Sequence, residues 1–395
     1  MKKLLSFLLA TLLVATLAFS VTACKKDDSD VVLDETVTPI TIKIETEKDD
    51  DGNTTQTLTE ISLSASAKDY VDKGDMAGLA KLFAKHNIEG FEFDAEAETV
   101  KFEIPENVTH IASNSVVNLS FITELVVGSS VEEIERGSFV GLTGLESITL
   151  PFVGGKIGAY NDARLFAYIF GSIGTDGLTS VTQNYNEGTE STASFYVPTS
   201  LKTVNVTGNV TTTEEEIRYY INDDNQHVLL GEEETAPEGK TEYSVSSISY
   251  KDSAVQPYAF YGITTIETVN FLGEITEIPD YTFYGCSSIK TLNVKDTITT
   301  IGKYAYAGCT SLRVLTLNNV VTIREGAFSN CSSLAKSTET AAGSLDISGV
   351  TTIEDGAFVG CTSLNKAKLT LGSLTAEDLE DAFDEDFFET EEENA

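Results

Sequence analysis

Cys286, Cys309, Cys331 and Cys361 each follow an aromatic residue by three positions and precede a Ser/Thr-Ser-aliphatic string. Thiols can ligate zinc, pair as disulfides or act as nucleophiles. Zinc sites draw on close CxxC or histidine pairs, and these cysteines lie more than twenty residues apart. Because their spacing follows a repeat, the expected reading is a structural ladder of small buried side chains. Disulfides between neighbouring rungs are the alternative, since export would permit oxidation. His86, His110 and His227 show no pairing with a nucleophile or with one another. Asp49-Asp50-Asp51-Gly52 hints at a calcium loop, but with Gly52 at the sixth position the twelfth is Leu58, where a bidentate Glu is needed. Weak calcium binding by the acidic runs is the most that remains. GxSxG, HExxH, GxGxxG and GxxxxGK[ST] are all absent, and carboxylates cluster without apolar neighbours to raise a pKa. These residues predict no enzyme, no metal centre and no cofactor.

A position shared by four cysteines has to be set by a repeating element. Ile298 to Leu317 reads I-x-x-I-G-x-Y-A-Y-A-G-C-x-S-L-x-x-L-x-L, and Ile275 to Val294 is its sister. Copies run from Val320 and Val350, with Gly326-Ala327-Phe328 and Gly356-Ala357-Phe358, and weaker ones occur from Val108, Val131 and Pro257. Their strands end at Val127, Leu150, Val206, Phe271, Val294, Leu317, Ile347 and Leu369, at intervals of 23, 56, 65, 23, 23, 30 and 22. A unit of this length cannot bury its apolar face alone, so units must stack. Eight rungs give a parallel ladder about 34 Å long. Residues 108–371 are therefore expected to form one β-rich repeat solenoid with inserts near 151–195 and 207–254. Phe260, Phe283, Tyr306, Phe328 and Phe358 read as a core column.

Elements flanking the repeats are legible in part. Ile40, Ile42 and Ile44 alternate with polar residues, and Asp49–Asn53 turns the chain toward Thr57–Ile61, so 24–66 is expected as an acidic tether with a hairpin. Asp75 is a helix N-cap ahead of Met76, Leu79, Ala80 and Phe83, placing an N-terminal cap over 67–107. Thr375 to Asp378 forms a capping box ahead of Leu379, Ala382, Phe383 and Phe387, so 372–395 is expected as a C-terminal capping helix and acidic tail.

Met1-Lys2-Lys3, the apolar run Leu4–Phe19 and Val21-Thr22-Ala23-Cys24 form an export signal over 1–23. The last four residues resemble the lipobox of bacterial lipoproteins. That resemblance implies lipidation of Cys24 and a membrane anchor facing outside the cell. The repeat string resembles the BspA-like leucine-rich repeats of bacterial surface proteins, over roughly 108–371. It implies a curved solenoid, with adhesion or binding of host factors in some members. The long interval before Phe271 and the interruption 335–343 depart from a smooth inner face.

The chain has 395 residues and a net charge of −36, which excludes a nucleic-acid partner for want of a cationic face. The acids concentrate in tether, insert and tail, whereas 255–371 carries 8 basic and 10 acidic residues. The candidate binding positions lie on this nearly neutral block and just before it. Thr203, Thr268 and Thr291 fall in one strand column with Ser147 and Val314; Asn205, Asn270, Asn293 and Thr316 fall in the next with Thr149. Tyr258, Tyr281 and Tyr304 recur at intervals of 23 and form a stripe suited to interfaces. The expected partner is a protein or glycan of a host or neighbouring cell. The competing reading is an envelope spacer without a ligand.

Overall fold

The structure is a computed structural model describing residues 36–186, 191–209, 213–221, 227–230, 235, 237, 240–250, 252–293, 295–317, 319–335 and 344–388. The expected export signal 1–23 and Cys24 lie outside the described residues, as do residues 389–395 of the acidic tail.

The repeat predicted from spacing is present, with each unit contributing to two ladders rather than one. The long ladder runs Phe91–Asp94, Thr99–Glu103, Glu124–Val126, Ser147–Leu150, Thr203–Val206, Thr268–Phe271, parallel except for the first pair. The short ladder holds two-residue strands: His110–Ile111 and Glu133–Ile134, then Glu277–Ile278, Thr300–Ile301, Thr322–Ile323 and Thr352–Ile353. Alternation drives both, because every second strand residue enters one shared core. Leu125, Ile148, Val204, Ile111, Ile134, Ile278 and Ile301 are fully buried.

The hairpin Ile40–Lys48/Thr54–Leu63 forms in the expected place, closed by Asp49, whose carboxylate accepts from the Asp51 and Asn53 amides. Those bonds, above all from Asn53, lower the Asp49 pKa, so this carboxylate closes a turn. The hairpin is no part of a loose tether, however. Thr57–Leu58 pairs in parallel with His110–Ile111, making it the outermost member of the short ladder. Two helices follow, Ala65–Asp72 capped by Ser64 and Met76–Lys85 capped by Asp75. The second buries Leu79, Leu82 and Phe83; the first has too weak a stripe to stand out in sequence.

The two inserts differ. Residues 151–170 carry core side chains, with Phe166 and Phe170 in short 3₁₀ turns, and Leu178–Asn184 pairs with Thr192–Pro198. Gln183 is fully buried there, accepting from Ala167 N and donating to the Tyr261 carbonyl. This segment is an enlarged rung more than a surface loop. Insert 207–254 is a three-stranded antiparallel sheet of its own, with Thr213–Ile221 between His227–Leu230 and Glu242–Ser249.

The expected C-terminal α-helix is a 3₁₀ turn, Glu377–Ala382. Thr375 and Asp378 do exchange the capping-box bonds. The turn is held instead by the preceding rung, since Gly356 N donates to Asp381 O and Phe358 N to Ala382 O. These are the bonds that join rung turns elsewhere, so residues 380–383 act as one more copy of the repeat turn. Phe383 stacks on Phe358 at 5.1 Å.

Candidate functional site

Each rung turn closes by a bond from the cysteine amide to the aromatic carbonyl three residues earlier, as from Cys286 N to Phe283 O. The aromatic amide then donates across to the next rung, so the rings from Phe260 to Phe383 lie face to face, with Phe166 tilted against Phe260. Phe166, Phe260, Phe283, Tyr306, Phe328, Phe358 and Phe383 form one column with centroids 4.9–5.5 Å apart. The four thiols are free, at most 3% exposed. Each donates to a main-chain carbonyl one rung back: Cys286 to Phe260, Cys309 to Phe283, Cys331 to Tyr306 and Cys361 to Phe328. Burial pushes the Cys286 thiol up to about 12 and holds the Cys309 thiol well above its ordinary value.

In six of the turns the residue two positions before the ring has a left-handed backbone. Gly137, Gly326 and Gly356 occupy that position in some rungs, but Tyr258, Tyr281 and Tyr304 hold it in three, with φ of 68°, 56° and 51°. The three tyrosines stack at 4.7 and 5.3 Å. Tyr304 lies across Gly326, where any side chain would collide with its ring. Tyr258 is only 5% exposed, whereas Tyr281 and Tyr304 are half-buried, so the stripe offers edges more than faces.

On the strand side the registers match the columns read from sequence. Thr203 lies beside Ser147 and Thr268, Asn205 beside Thr149 and Asn270, and Thr291 and Asn293 beside Val314 and Thr316. Asn205 donates to Thr149 Oγ1 at 3.2 Å and Asn270 to Asn205 Oδ1 at 2.9 Å, a side-chain chain that reaches the strand edge.

The ladder then breaks. Thr268–Phe271 and Thr291–Asn293 belong to separate sheets, and among the described residues no ladder bond joins them. Two lysine bridges bracket the break. Lys290 pairs with Glu267 at one end, and Lys295 Nζ donates to the carbonyls of Leu272 (3.1 Å) and Gly273 (2.6 Å) at the other. Between them lies a cavity of about 470 Å³. Phe271, Ile278, Phe283, Ile289, Ile298 and Tyr306 make its apolar floor, and Thr268, Asn270 and Thr291 its polar rim. The break thus gathers three candidate residues around a hollow, while Thr203 and Asn205 lie one rung away. Nothing in the residue pattern announced it, because the strand motif continues on both sides.

A buried polar cluster sits on the short ladder of the same rung. Tyr250, where insert 207–254 rejoins the solenoid, donates to Glu277 Oε1 at 2.7 Å, and Arg324 donates to the same oxygen at 2.9 Å. Burial raises the Glu277 pKa despite those two donors. Among the described residues no group of three or more His, Cys, Asp or Glu could hold a metal ion, and no helix is long and apolar enough to cross a membrane. His110 meets Thr109 at 3.0 Å, and His86 ends the second helix.

The model of the BspA type leucine rich repeat region matches six copies, over residues 84–162 and 241–365, more than half of the chain. The chain belongs to the BspA-type leucine-rich-repeat family. Among solved structures it is similar to a leucine-rich repeat protein from Bacteroides ovatus, at 21% identity over 67% of this chain and TM-score 0.28. It spans 59% of that protein's length. It is also similar to the leucine-rich repeat protein of T. pallidum, at 13% identity, 70% of this chain and 88% of that one, TM-score 0.29. A leucine rich cell surface protein from Faecalibacterium prausnitzii aligns at 14% identity over 86% and 96% of the two chains, TM-score 0.20. No curated protein matches the sequence.

Proposed function

We propose that the protein is a non-enzymatic binding module, lipid-anchored at Cys24 and exposed outside the cell, which docks protein or glycan ligands on its long-ladder face. The observation that carries this reading is the break beside Thr268–Phe271, where a polar rim surrounds an apolar hollow in an otherwise paired sheet. Concave sites with a few convergent polar groups are the usual form of a binding site. Family membership and the signal-like 1–23 segment support the surface location.

The test uses cells carrying the full-length chain. Asn270→Arg places a long cation on the exposed rim without entering the core, and adhesion to host cells or matrix should fall about tenfold. Adhesion unchanged by Asn270→Arg, or by loss of the chain altogether, would favour a spacer. For the anchor, incorporation of a tagged lipid precursor should vanish in Cys24→Ala, and equal labelling would remove that part of the reading.

A further inference from the structure

Four of the five repeat-turn rings from 260 to 358 are phenylalanine; the fifth is Tyr306. Its ring lies 4.9 Å from Phe283 and 5.5 Å from Phe328, as a phenylalanine would. Among the described residues its hydroxyl is buried without a hydrogen-bond partner, and the residue, 1% exposed, lines the cavity at the ladder break. A buried phenol oxygen with nothing to bond is a cost that a plain core position would avoid.

Two further features face the same hollow. Thr268–Phe271 is paired on one side to Thr203–Val206, and Thr291–Asn293 on one side to Val314–Thr316; their opposite edges have no strand partner among the described residues. Such edges are templates for an incoming extended backbone. Among the described residues Lys295, at the exit of the groove, is bonded only to main-chain carbonyls and has no carboxylate partner. Its ammonium group is the cation nearest the groove's exit.

We propose that the break is a strand-insertion site for an extended segment of a partner protein. The segment's backbone pairs with the open edges of Thr268–Phe271 and Thr291–Asn293. One large side chain with a polar tip fills the hollow and meets the Tyr306 hydroxyl, and an acidic residue toward the segment's C-terminal end meets Lys295. This rests on the reading that the long-ladder face binds ligands, and names the ligand as peptide. A glycan fits less well, because its hydroxyls would be stranded against Phe271, Ile278, Phe283, Ile289 and Ile298.

The probe is a set of fluorescent, capped threonine pentapeptides ending in Glu, with the central residue varied, titrated by anisotropy into the full-length chain. A Tyr or Gln centre should bind at least tenfold more tightly than an Ala centre, and N-methylation beside the centre should cost about tenfold. Tyr306→Phe, which keeps the column intact, should weaken Tyr-centred peptides about fivefold and leave Leu-centred ones unchanged. Lys295→Met should weaken Glu-ended peptides and not Gln-ended ones. No binding by any centre, or equal affinity after N-methylation, would overturn the proposal. Loss of cell adhesion in Asn270→Arg with glycans competing and peptides not would overturn the peptide assignment and leave the docking face standing. Adhesion indifferent to Asn270→Arg would remove the face instead.

Discussion

Between residues 268 and 291 the two sides of the same rungs behave differently. On the turn side, Phe260, Phe283 and Tyr306 stack without interruption, and the thiols of Cys286 and Cys309 tie each rung to the one before. On the strand side, the sheet stops at Phe271 and resumes at Thr291. Main-chain bonds between the turns, with stacked rings and thiol bonds, therefore carry the continuity of the solenoid, which frees the strands to open. The contrast separates what holds this chain together from what it can present.

The largest disturbance should come from the continuous side. Phe283→Ala removes a ring 2% exposed from between two partners and should cost about 3–5 kcal/mol, read as a lower urea midpoint by circular dichroism. A loss under about 1 kcal/mol would mean that the column is not what spans the break. On the open side the sign reverses. Tyr306→Phe removes a buried hydroxyl without a bond and should stabilise the free protein by about 1–3 kcal/mol. An unchanged or lower midpoint would show that the hydroxyl is already satisfied.

The smallest effect belongs to the short ladder. Burial raises the Glu277 carboxyl pKa, so the folded chain holds that proton more tightly than the unfolded chain. The residue's contribution is then complete below the ordinary carboxylate range and declines as pH rises through the raised value. Glu277→Gln should flatten that decline by under about 1 kcal/mol. A pH profile identical to that of the parent would assign the attachment of insert 207–254 to packing alone.

The contrast also explains what could be read from sequence. The side-by-side placement of Thr203 with Thr268, and of Asn205 with Asn270, followed from the shared T-V-N strand motif, which fixes register even across the 65-residue interval. The break did not, since T-V-N-F and T-L-N-V carry the same alternation whether or not they are neighbours. Likewise, the pattern of Ile40–Ile44 identifies a strand but not its partner, so the hairpin's place in the short ladder was invisible. Leu379 to Phe387 has helical spacing, yet Glu380-Asp381-Ala382-Phe383 also mimics the Gly-Ala-Phe turn, and stacking on Phe358 decides for the turn. The hydroxyl of Tyr306 was visible as the one tyrosine in a phenylalanine column; only the cavity gives it meaning.

The thiol ladder has a consequence for where such a chain can work. A thiol becomes a partner for exchange only as its thiolate, and here each proton is committed to a carbonyl deep in the core. Once a rung has closed, its sulfur is silent toward oxidants and toward glutathione alike. No disulfide among the described residues contributes to the solenoid's stability; its rungs are joined by hydrogen bonds and packing alone.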